Sequence, residues 1–124
     1  LGASIASAQS PTFYKDVPPI LQANCQSCHR PGEVAPMSLL TYEQARPWAR
    51  AIKAAVTSRQ MPPWFADPGV GHFANERRLV DREIATLNAW AHPGAPAGNE
   101  ADAPAPITFP SGWNIKPDVI VEMP

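Results

Sequence analysis

The stretch "NCQSCHR", residues 24–30, holds both cysteines of a 124-residue chain and sets a histidine directly behind the second. Cys25 and Cys28 are three positions apart, close to one helical turn, so a helical backbone turns both thiols to the same side. A disulfide, a redox dithiol, a metal clip and a covalent anchor for a prosthetic group all use two thiols this near. The residues around the motif have to choose.

A redox dithiol of the C-x-x-C type sits in a βαβ setting. No strand precedes Cys25. Residues 12–30, "TFYKDVPPILQANCQSCHR", read instead as a helix entering the motif. Asp16 is the expected N-cap, and Pro18 and Pro19 fit only a first turn, where their missing amides cost nothing. Phe13, Val17, Ile20 and Leu21 then recur at helical spacing up to Cys25. Zinc requires four ligands in tetrahedral array. Only His29 and His72 could join the thiols, and the adjacent Cys28 and His29 chelate one ion poorly. A plain disulfide leaves His29 without a role. C-x-x-C-H, by contrast, is the attachment signature of c-type haem: two sulfurs on one face reach the two vinyl groups of one haem edge, and the next residue turns its imidazole beneath the iron. That is the reading adopted, with Cys25 and Cys28 as thioether sites and His29 as proximal ligand.

The rest of the chain agrees with a small redox carrier. Ten Lys and Arg balance eleven Asp and Glu, so nothing marks a nucleic-acid or membrane-surface binder. Sixteen prolines, more than twice the average of about 5%, argue for long ordered connections between short helices. No apolar run approaches the roughly 20 residues of a membrane span. Residues 1–11 read as an N-terminal tail, with "ASA" at Ala6–Ala8 resembling an export cleavage site. A periplasmic or otherwise extracytoplasmic location is the expectation.

Three zones follow the tail: a haem domain over 12–95 and, over 96–124, a Pro/Ala-rich linker leading into an extended C-terminal segment. Within the domain, Thr41 and Gln44 form a capping-box pattern. Pro47 forbids one straight helix from Thr41, so a short turn at 41–45 precedes a helix starting near Arg46, with Trp48, Ile52 and Val56 as its buried stripe. The connection "QMPPWFADPGVGHFANERR" is too rich in Pro and Gly for regular structure. "VDREIATLNAWAH" is the closing helix, with Ile84, Leu87, Trp90 and Ala91 on one face. Val119, Ile120 and Val121 are a short strand candidate.

The iron needs a sixth ligand or keeps an open position. Met61 is the first choice. Pro62 biases it out of helical geometry, and Pro62-Pro63 stiffens the loop that holds it. Met37 lies only eight residues beyond His29, Met123 is in the far tail, and His92 follows the closing helix. His72 is the main rival and implies bis-histidine ligation. Arg50, Arg59, Tyr42 and the indole N–H of Trp64 are candidate donors to the haem propionates. Leu39, Leu40, Leu79 and Leu87 can cover the faces.

With these residues in view, the chain resembles the class I c-type cytochromes, and more narrowly the monohaem cytochrome c domains of exported bacterial redox proteins. The resemblance covers roughly Phe13 to Ala95 through the entry helix, "CQSCH", the "MPPW" loop and the amphipathic closing helix. It implies an all-α fold around one covalent haem c, His29 and Met61 as axial ligands, and a non-enzymatic carrier of single electrons between redox partners. It also implies that "KPDVIVEMP" leads toward a further redox domain, so a haem module or subunit of a larger electron-transfer assembly is the alternative. A haem-based sensor or peroxidase follows only if the distal position is open.

Overall fold

Two prolines divide the first helical stretch. The computed structural model describes residues 9–113 and 115–124, so the export-site motif at Ala6–Ala8 lies outside the described residues. Helix α1 is Phe13–Asp16 and α2 is Pro18–Asn24, with Val17 between them still in helical geometry. Pro18 and Pro19 cannot donate to the carbonyls four residues back, so the ladder lapses there. Asp16 is not the cap of α2. Its carboxylate turns back and accepts the Thr12 amide at 2.8 Å, because Val17 is already helical and the first α2 residue has no amide to offer.

The capping box forms as expected. The Gln44 backbone amide donates to Thr41 Oγ1 and the Thr41 backbone amide to the Gln44 side-chain Oε1, opening α3, Tyr42–Ala45. A 3-10 turn, Arg46–Trp48, carries Pro47 into α4, Ala49–Thr57. This tighter turn shifts the helical phase. Ala49, Ile52 and Val56 are therefore the buried stripe, and Trp48, expected in it, is 43% exposed.

Helix α5, Asp81–Ala91, starts where the Glu83 carboxylate accepts the Val80 amide at 2.9 Å. It packs against α4: Thr57 Oγ1 donates to Asn88 Oδ1, and Arg59 pairs with Asp81 at 2.7 Å. Phe13, Val17 and Leu21 from the entry helices meet Leu87 and Trp90 of α5 in one core. Full burial of such side chains stabilises by about 1.5–3 kcal/mol each.

The chain after Ala95 is not a free linker. The amides of Phe13 and Tyr14 donate to the carbonyls of Pro96 and Ala97 at 2.8 and 2.9 Å, and the Trp90 indole N–H donates to Pro96 at 3.1 Å. Gln22 reaches the Ala105 carbonyl. A 3-10 turn at Glu100–Asp102 completes this strap over the entry helices. Beyond it the chain is irregular. Val119, Ile120 and Val121 form no strand and lie exposed. Among the described residues the fold is all-α, and no helix is long and apolar enough to cross a membrane.

Candidate functional site

Helix α2 delivers the cysteine motif in a continued turn. The Cys25 amide bonds the Leu21 carbonyl at 2.9 Å, and the amides of Cys28 and His29 return to the Cys25 carbonyl at 3.1 and 2.9 Å. The two thiols are thus held within one turn, and they are not joined to each other. Burial, then the Glu83 carboxylate, then Cys28 push the Cys25 thiol up to about 12. A redox dithiol needs a thiolate at neutral pH, and this environment works against one.

His29 is buried behind the turn. Its Nδ1 lies 3.2 Å from the Met37 carbonyl oxygen. A carbonyl only accepts, so Nδ1 carries the proton and Nε2 keeps its lone pair for a metal. Metal-bound histidines make this same outer contact. The loop that supplies Met37 is pinned across the motif by the Leu39 amide on the His29 carbonyl at 3.0 Å. Buried Gln26, between the cysteines, holds the same residue by donating to the Leu39 carbonyl at 3.0 Å. Gln26 carries no signal in the sequence beyond an amide side chain inside C-x-x-C. Arg77 donates to Ser27 Oγ at 3.2 Å and ties the later loop to the same turn.

Met61 sits elsewhere, on the loop after α4. With Val56, Arg59, Trp64, Leu79 and Ile84 it lines a cavity of about 150 Å³ at the end of α4 and the start of α5. The Trp64 Nε1–H is buried with no hydrogen-bond partner, and Phe73 meets the indole edge-on at 5.6 Å. Met61 is 41% exposed, and Phe65, Val70 and Phe73 of the same connection also face outward. A loop this apolar lacks cover on one side.

The proposed propionate donors are not gathered at one place. Arg59 and Trp64 line the Met61 cavity, but Arg59 is already paired with Asp81. The Tyr42 hydroxyl donates to the Ala95 carbonyl at 3.0 Å and its ring packs on Phe13. Arg50 lines a separate groove against the end of α5. His72 is exposed, next to the Phe73 that packs on Trp64.

The donors on the turn suit a c-type haem, two thiols on one turn and an imidazole with Nε2 available, whereas the Met61 thioether and the orphaned Trp64 indole N–H line a separate cavity. Enclosed volume is not part of that fit, since the Met61 cavity is smaller than the roughly 300–1,000 Å³ of small-molecule sites. Zinc fits poorly, because among the described residues no three His, Cys, Asp or Glu side chains converge. A comparison with models of known families, with curated proteins and with solved structures finds no match to this chain.

Proposed function

We propose that this chain is a monohaem c-type cytochrome that passes single electrons between redox partners. One observation carries the reading: on the C-x-x-C-H turn, the Met37 carbonyl at 3.2 Å from His29 Nδ1 fixes the tautomer that a proximal ligand needs. When bound, haem c supplies an iron centre that takes up and releases one electron. Cys25 and Cys28 would hold it as thioethers, His29 and Met61 would be its iron ligands, with exposed His72 as the rival to Met61, and Trp64 would donate to a propionate. Histidine–methionine ligation holds the potential above that of a bis-histidine site. No side chain is assigned a catalytic step, and the expected location is extracytoplasmic.

Spectroscopy tests this directly. The expected result is one haem per chain that survives denaturation attached to the polypeptide, and a near-infrared sulfur-to-iron charge-transfer band lost in Met61→Ala. A chain matured with the haem-attachment machinery that carries no covalent haem overturns the reading. Rapid carbon monoxide binding by the reduced wild type moves it to the sensor or peroxidase alternative.

A second form of the reading, an electron-entry module within a larger redox assembly, is favoured by the C-terminal segment. Trp113, Ile115, Val119, Ile120 and Val121 are large, apolar and exposed together, which suits a segment covered by another domain.

A further inference from the structure

We propose that the groove running along α4 beside the end of α5 docks an acidic polypeptide segment of a partner protein. The groove is open on one side and has a volume of about 950 Å³. Arg46, Arg50 and Lys53 stand on its α4 side and His92 on its α5 side, and no Asp or Glu lines it. Among the described residues, Arg30, Arg59 and Arg78 each hold a carboxylate, whereas Arg46, Arg50 and Lys53 form no ion pair. On a chain of net charge −1, this is a local concentration of unanswered positive charge.

The geometry favours an extended acidic segment over a small anion. Arg50 and Lys53 stand on α4 and Arg46 on the 3-10 turn before it, and all three line the groove, in a row of about 10–12 Å at ~1.5–2 Å per residue. Same-face side chains of an extended chain recur every ~7 Å, so alternate carboxylates of such a segment can meet the row. The floor is small, built from Ala49, Ala54, Ala91 and Ala95, which leaves room for a backbone. Arg46 and Arg50 are exposed, and exposed charges bind a small anion weakly one at a time. A segment that engages several together gains from their sum and from steering. The groove is concave, which a flat lipid surface does not match.

This inference does not depend on the haem. The groove shares no lining residue with the Met61 cavity, although both reach the end of α4, so a docked segment leaves the Met61 side chain uncovered. It would tether a partner rather than cover the electron-exchange face.

The test is a titration of the isotopically labelled full chain, as isolated, with an octapeptide of alternating glutamate and alanine at low salt. Saturable shifts are expected at residues 49–54 and 91–95, abolished when salt rises from about 20 mM to about 500 mM. The dissociation constant is expected to rise about tenfold in Arg46→Glu/Lys53→Glu and to stay unchanged in Arg82→Glu, outside the groove. Lys53→Gln alone gives a smaller rise if the double reversal fails to fold. No saturable shift, shifts elsewhere, or indifference to the reversals overturns the proposal. So do equal shifts with inorganic phosphate alone, binding only to anionic vesicles, or a dimer of the free chain that the reversals dissociate.

Discussion

The Nδ1 nitrogen of His29 lies 3.2 Å from the carbonyl oxygen of Met37, eight residues further along the chain. That contact leaves a buried imidazole with one lone pair and one direction for it. His29→Ala is therefore expected to separate attachment from ligation. The two thioethers still hold haem to Cys25 and Cys28, so the mass of one haem stays with the chain, but the low-spin spectrum is lost. A low-spin spectrum that persists unchanged in His29→Ala removes His29 from the iron.

Cys25 offers a test by pH in the haem-free chain. Its folded-state pKa is raised from about 9 to about 12, first by burial and then by Glu83. The sign follows: a raised folded pKa favours the folded thiol, so its contribution to stability is complete below about pH 9 and is lost as pH climbs toward 12. Alkylation of Cys25 at pH 8 should accordingly be much slower in buffer than in denaturant, since the thiolate is the nucleophile. Equal rates in the two solutions mean that the turn does not shield Cys25 without haem. In the haem-loaded protein neither cysteine should react at all.

Trp64→Phe keeps an aromatic body and removes the N–H that is buried without a partner. An unsatisfied buried donor costs about 1–3 kcal/mol, while a hydrogen bond to a charged group contributes about 1.5–3 kcal/mol. The substitution should thus be neutral or stabilising by about 1 kcal/mol in the haem-free chain and destabilising by about 1.5–3 kcal/mol in the haem-loaded one. Denaturant unfolding of both forms reads the difference. The same sign in both excludes a propionate bond from Trp64.

What could be read from the sequence here is what local chemistry dictates. The Thr41–Gln44 capping box, the displacement of the main helix start by Pro47 and the extent of α5 follow from residues within one turn of each other. The placement of Trp48 does not, because the single 3-10 turn that rotates it outward is set by a balance of backbone geometries. Tyr42 and Arg50 show the limit for the site. Their donors are plain in the sequence, but Ala95 takes the Tyr42 hydroxyl and a separate groove holds Arg50. The strap after Ala95 was illegible for another reason. Its docking groups are the backbone carbonyls of Pro96, Ala97 and Ala105, and a Pro/Ala-rich composition looks the same docked or free.

That strap yields the sharpest prediction for stability. Gly98 has φ +77°, a backbone region that side chains disfavour, and a Cβ built there would stand 2.5 Å from the Thr12 Cβ. The obstacle is next to the backbone at the start of α1, so no rotamer change relieves it. Gly98→Ala must therefore either strain the turn, at about 1–2 kcal/mol for the left-handed conformation alone, or pull the strap off the entry helices. Lifting the strap breaks the bonds from the Phe13 and Tyr14 amides to Pro96 and Ala97 and uncovers Trp90, which is fully buried beneath Pro96. The expected loss is at least about 2 kcal/mol in total, with hydrogen exchange accelerated at Phe13 and Tyr14 before the rest of the core. Thr12→Ala removes the hydroxyl and methyl but leaves the Cβ, so it should rescue Gly98→Ala only in part. Unchanged exchange at Phe13 and Tyr14 in Gly98→Ala would show that the strap is not held at this contact.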